Sequence, residues 1–159
     1  MEANQMKLLL KRVALAIVLV ATCGAGWASP DRGSAEDAVA MVKKVVADMK
    51  KYGKKKVIQD VQAQDPRYRD RDLYVFIGGM DGITLANGIN PRLAGKNLNG
   101  LKDADGKLVQ KERLELARTK GSGWLDYRWP DPVSNEIKQK STYLERFDDL
   151  IINCGIYKD

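Results

Sequence analysis

Apolar and polar positions repeat with two different periods along this chain, and the change of period separates helical from sheet-forming parts. Ala35, Ala38, Val39, Val42, Val45, Val46 and Met49 recur at three-and-four spacing, while Lys43, Lys44, Asp48 and Lys50 take the opposite face. That stripe predicts one long amphipathic helix, because such positions share one side of a helix. Ser34 followed by Glu36 and Asp37 marks its start, a capping hydroxyl with acids in the first turn, and Tyr52-Gly53 marks its end. A less regular helical segment covers 54–64 and breaks at Asp65-Pro66, where proline pushes the preceding residue out of the helical region.

From Leu73 the period shortens to two. Residues 73–77 are rich in β-branched and aromatic types, Gly78-Gly79-Met80-Asp81-Gly82 is a turn, and 83–86 form a second short strand, so the pair reads as a hairpin. Residues 87–106, rich in Gly, Asn and Pro, make a long connection of the kind that shapes sites and are expected to wall a pocket. A short helix at 109–120, carrying Leu114, Leu116 and Ala117, stops at Gly121-Ser122-Gly123. Three further strands, 124–129, 137–147 and 150–157, are joined through Pro130-Asp131-Pro132 and Asp148-Asp149, closely enough to be antiparallel. The sum is an α+β fold, a long N-terminal helix packed on an antiparallel sheet of about five strands.

Ahead of the helix the pattern is neither helical nor sheet-like. Lys7, Lys11 and Arg12 precede an apolar run at 13–20 and small residues up to Ala28, the order of a secretory signal. The apolar stretch is shorter than the roughly 20 residues a bilayer span needs. The expected division is therefore a signal peptide at 1–28 and one domain at 29–159, periplasmic or secreted. In a competing reading Val20-Ala21-Thr22-Cys23 is a lipobox and Cys23 a lipid anchor, although Thr22 stands where that motif wants a smaller residue. Loss of Cys23 with the leader would leave Cys154 without a disulfide partner, so Cys154 is expected to pack as a small buried hydrophobe in its strand.

With 159 residues, 44% hydrophobic and 30% charged, the chain has the composition of one globular domain. Removal of Lys7, Lys11, Arg12 and Glu2 with the leader lowers the formal charge from +6 to +4. Lys54-Lys55-Lys56 is the only tight basic run, and acids interrupt the bases from Arg67 to Asp72, so nucleic acid is not an expected partner. There is no histidine, which removes Ser-His-Asp and Cys-His catalysis, the common zinc sets and histidine haem ligation. Asp103-Ala104-Asp105-Gly106 lacks calcium-loop spacing, with Leu114 where the bidentate Glu would stand, and reads as a turn. No enzymatic activity, cofactor or metal is expected.

The order of motifs carries a family. A long helix, Leu-Tyr-Val-Phe at 73–76, Leu85-Ala86-Asn87-Gly88, NPRLAGKNL at 90–98, GSGWLDYRWP at 121–130, Lys140-Ser141-Thr142-Tyr143 and Gly155-Ile156-Tyr157 together resemble the single Cache domain of bacterial sensors, over 34–159. The resemblance implies a PAS-like extracytoplasmic domain that binds small molecules, often carboxylates or amino acids, for chemoreceptors and sensor kinases. Two positions depart from it: Gly78-Gly79 stands where a more polar turn is usual, and Asn87 where histidine is usual. A neutral amide at Asn87 puts a pH-dependent ligand contact there in doubt. With no second apolar span or output region in the sequence, the chain is expected to act as a stand-alone sensor. Its partners would be a small carboxylate-like ligand and a membrane-bound receptor or kinase, with pairing into a homodimer through the N-terminal helix.

Strand alternation selects the pocket candidates. Leu125, Tyr127 and Trp129 share one face of their strand, and Tyr127 and Trp129 can offer apolar walls with donor tips. The competing placement makes them sheet core against the long helix. A bound carboxylate needs a counter-charge, for which Lys140 is preferred, with Arg92 and Lys96 of the 90–98 loop as competitors. Period-two alternation places Tyr143 opposite Lys140, so both line one pocket only if a bulge intervenes. Tyr74 and Phe76 share a face of the first strand and complete the candidates. The alternative function is an interaction module that binds no ligand, its former pocket filled by its own side chains.

Overall fold

A computed structural model describes residues 32–158. The expected leader at 1–28, its cleavage after Ala28 and the alternative anchor at Cys23 lie outside the described residues.

The first helix, α1, is Ala35–Tyr52. Ser34 closes its N-terminus with a capping box: the Ser34 hydroxyl accepts from the Asp37 amide at 3.1 Å, and the Asp37 carboxylate accepts from the Ser34 amide at 3.0 Å. Gly53 turns the chain with φ of 89°, a conformation open to glycine, into a second helix, α2, Lys54–Gln62. The buried stripe of α1 is Ala38, Val42, Val45, Val46 and Met49, each larger side chain contributing roughly 1.5–3 kcal/mol of burial.

Among the described residues the sheet has six strands: β1 Arg69–Asp70, β2 Leu73–Gly79, β3 Thr84–Asn87, β4 Ser122–Pro130, β5 Ile137–Phe147 and β6 Leu150–Lys158. Their order is β1-β2-β6-β5-β4, with β3 also on β2, and every pairing is antiparallel. The additional strand is β1, two exposed polar residues that carry no periodic signal. A third helix, α3, is Val109–Thr119.

Alternation gives the sheet two different faces. On one, Leu73, Val75, Ile77, Leu150, Ile152 and Cys154 pack under α1 and α2. On the other, Leu144 and Ile151 meet Leu114 and Ala117 of α3, and Leu125 and Tyr127 meet Val109. Tyr127 and Trp129 therefore face away from the long helix. Among the described residues no helix is long and apolar enough to cross a membrane.

Candidate ligand-binding site

The face opposite α1 is not filled. A cavity of about 60 Å³, room for a molecule of a few heavy atoms at roughly 10–15 Å³ per water-sized group, lies between the sheet, α3 and the loop 88–108. Its floor is made by Tyr74, Phe76, Tyr127, Lys140, Thr142 and Asn153, with Trp129 at one side. Leu93, Leu98 and Leu101 of the loop form one wall, and Val109, Gln110 and Arg113 of α3 another.

Register explains the floor. Lys140 pairs with Tyr127 on β4 and Tyr157 on β6, and Thr142 pairs with Gly155, so these residues form two adjacent cross-strand rows. Gly155 sits in the middle as a gap in the side-chain layer. A Cβ there would stand 2.6 Å from Lys140 Cε and 2.5 Å from Thr142 Oγ1, so the absent side chain is what lets Lys140 lie across the sheet.

Lys140 is 3% exposed and reaches no carboxylate among the described residues. Its Nζ donates to Tyr74 Oη at 2.7 Å and Tyr157 Oη at 3.0 Å, and lies 4.3 and 4.4 Å from the centres of those two rings. Burial lowers the Lys140 pKa from its ordinary value, since a charge removed from water is destabilised unless compensated. Burial raises the Tyr157 phenol, and pushes Tyr74 up to about 12, so both are neutral hydroxyls at physiological pH. Tyr127 Oη is bonded to Thr142 Oγ1 at 2.9 Å.

Arg113 is the second buried cation, 6% exposed. Its guanidinium stacks 4.8 Å from the Phe76 ring centre and donates to Gln110 Oε1, while its Nε has no partner among the described residues. None of the lining residues is Asp or Glu. The cavity thus holds two desolvated cations and no anion.

Of the sequence candidates, Tyr74, Phe76, Asn87, Tyr127, Trp129 and Lys140 line this cavity. Arg92, Lys96 and Tyr143 do not. Arg92 and Lys96 are exposed on the outside of the loop, where the leucines rather than the charges turn inward. Tyr143 packs with the α1-side core and against Trp124 at 5.5 Å, because β5 runs through Lys140 to Tyr143 without the bulge that would bring both to one face. The Asn87 side-chain oxygen accepts from Ile89 and Asn90 amides at 3.0 and 2.9 Å, so it shapes the loop as well as lining the cavity.

Arg113 and Gln110 were missed by sequence reasoning, and a signal for them existed. The buried stripe of α3 is Val109, Gln110, Arg113, Leu114 and Ala117, so two polar residues occupy the inward face of an amphipathic helix. Cys154 is buried with its thiol 3.7 Å from Met41 Sδ, and burial pushes it up to about 12, which leaves it inert. Asp103 braces the turn against β4, accepting from the amides of Asp105, Lys107 and Arg128.

A family model described as Cache domain matches residues 32–159. The chain belongs to the Cache domain family. This Cache domain is 34% identical over 92 residues to the methyl-accepting chemotaxis protein McpP of Pseudomonas putida, a match covering 57% of the chain and 17% of that receptor. The chain therefore corresponds to under a fifth of that relative. A methyl-accepting chemotaxis protein from Vibrio parahaemolyticus superposes with a TM-score of 0.68 at 26% identity, covering 78% of this chain and 88% of that one. A Cache chemosensory domain described for its carboxylic acid recognition superposes with a TM-score of 0.66 at 22% identity, covering 78% and 92%. Two of these relatives are methyl-accepting chemotaxis proteins and the third is a chemosensory domain.

Proposed function

We propose that this Cache domain binds a small carboxylate in the cavity over Gly155 and passes its occupancy to the signalling part of a membrane-bound receptor or sensor kinase, from the periplasmic side. The observation that carries the reading is the pair of buried cations, Lys140 and Arg113, with no carboxylate against either. Burying an unpaired charge is expensive, and an incoming anion offsets that cost for both residues. The lining phenols and the Thr142 hydroxyl can donate to oxygens the cations leave unpaired.

The rival reading, a docking module without a ligand, needs the cavity filled by the domain's own side chains. The open space above Lys140, with Tyr127 and Trp129 at its side, favours the sensor. Pairing through the outer face of α1 is a further proposal, checked by the sedimentation mass of the purified protein.

Thermal unfolding in the presence of acetate, propionate, pyruvate, amino acids and purines tests the main reading. A carboxylate at one hundred times its dissociation constant should add about 2.7 kcal/mol of stability. Purines and chloride of equal ionic strength should add nothing. A flat response to every carboxylate would sink the proposal.

A further inference from the structure

Two lining residues carry buried polar atoms without partners, and those atoms are complementary. Among the described residues, the buried side-chain atoms lacking any hydrogen bond are Thr84 Oγ1, Arg113 Nε and Asn153 Oδ1, and the last two belong to the cavity lining. One is a donor and the other an acceptor.

The orientation of Asn153 is set by its surroundings. Its Nδ2 donates to the carbonyl of Phe76 at 3.1 Å and to that of Ile151 at 3.0 Å. Exchanging nitrogen and oxygen would press an oxygen against two carbonyls, so the oxygen is the group left over. The two residues meet at Phe76. Asn153 is its cross-strand partner in the β2–β6 register, and the Arg113 guanidinium lies over its ring at 4.8 Å. They do not bond each other, and each loses free energy while it stays unpaired.

Resting on the carboxylate reading above, we infer that Asn153 selects a 2-hydroxycarboxylate. The carboxylate accepts from Arg113 and Lys140, and the neighbouring hydroxyl donates to Asn153 Oδ1. A plain carboxylate leaves that acceptor unpaired, and a 2-keto acid brings a second acceptor to it. A 2-amino acid brings a donor, but also a third positive charge into a cavity that already holds two cations and no acid. A hydroxyl supplies the proton without the charge, and rejection of analogues that lack it follows from the buried acceptor they strand.

Calorimetric titration of the full-length protein with matched pairs decides the matter: glycolate against acetate, and lactate against propionate, with pyruvate and alanine alongside. Each hydroxy acid is expected to bind about tenfold tighter than its plain partner, with pyruvate and alanine no tighter than propionate. In Asn153→Leu the lactate-to-propionate ratio should fall to about one. Should that variant not fold, the wild-type ratios decide alone. Equal affinity within both pairs overturns the hydroxyl assignment while leaving carboxylate binding in place. Failure of all six compounds to bind overturns the carboxylate reading and this inference with it.

Discussion

Arg32 and Lys140 are both cations held against the same sheet, but Arg32 is enclosed by carboxylates and Lys140 by phenols. Arg32, just ahead of α1, bridges Asp72 at 3.1 Å and Asp131 at 2.6 Å, and both of those carboxylates are fully buried. Their remaining lone pairs are used: Asp72 accepts from the Gly33 amide, and Asp131 from the Val133 amide and Ser134 hydroxyl. A Cβ at Gly33 would stand 2.2 Å from Leu73 Cγ, so any side chain there would have to displace that buried leucine. The Lys140 and Arg113 site has the burial without the counter-charge. A completed ion-pair network fixes a geometry, whereas uncompensated buried cations hold free energy that an anion can release. The two sites are also joined, because Tyr157 receives from Lys140 at 3.0 Å and donates to the carbonyl of Pro130, next to Asp131, at 2.8 Å.

The contrast can be broken most severely at Arg32. Arg32→Met strands the buried Asp72 carboxylate and leaves Asp131 only the longer ion pair to Lys138 at 3.7 Å, so it should cost roughly 3–5 kcal/mol of stability in chemical denaturation, while the affinity of the folded protein for a carboxylate changes by less than about threefold. Lys140→Met should do the reverse. It removes a charge that has no ionic partner, so stability should shift by only about 1 kcal/mol, while carboxylate affinity falls by roughly 30-fold or more. A large stability loss in Lys140→Met with affinity intact would erase the distinction between the sites.

Titration sharpens the same comparison with a smaller effect. Burial would raise the Asp131 carboxyl, but hydrogen bonds from Arg32, the Val133 amide and Ser134 outweigh it and hold it at about 2. This value lies below the unfolded value of about 3.9, so the stabilisation, on the order of 2 kcal/mol, is complete above that value and lost as pH falls through about 2. Lys140 has the opposite behaviour. Its pKa is lowered by burial, so the unfolded chain binds more protons between the folded value and about 10.4, and the unliganded protein gains stability as pH rises through that window. Carboxylate affinity should fall over the same window, and binding below it should show no proton uptake. Denaturation midpoints against pH, with titrations in buffers of different ionisation enthalpy, read both.

Much of this was legible along the chain. The capping box at Ser34, the alternation through Tyr127 and Trp129, and the run of β5 from Ile137 to Phe147 are local patterns, and the elements follow them. The Cache resemblance carried the topology. Lys140 stood out because a bound carboxylate needs a counter-charge and this lysine lies mid-strand among Gln139, Ser141, Thr142 and Tyr143. Arg113 did not stand out, since a charged residue on a short helix normally faces solvent, and only its place in the stripe with Val109 and Ala117 marks it. Arg92 and Lys96 misled for the converse reason, as charges in a pocket-forming loop can point outward.

Periodicity belongs to a segment's own backbone, so the sequence was sufficient for where the long helix and five of the six described strands lie and which residues share a face, and its motifs for the Cache family. Desolvation belongs to whatever lies on top of a residue. Whether Lys140 is a surface lysine or an unpaired cation depends on Gly155 beside it and on two tyrosines from other strands. Whether Arg113 is solvated depends on α3 lying across Phe76. Those juxtapositions join residues far apart in the chain, and it is packing, not pattern, that turns two ordinary basic residues into buried cations.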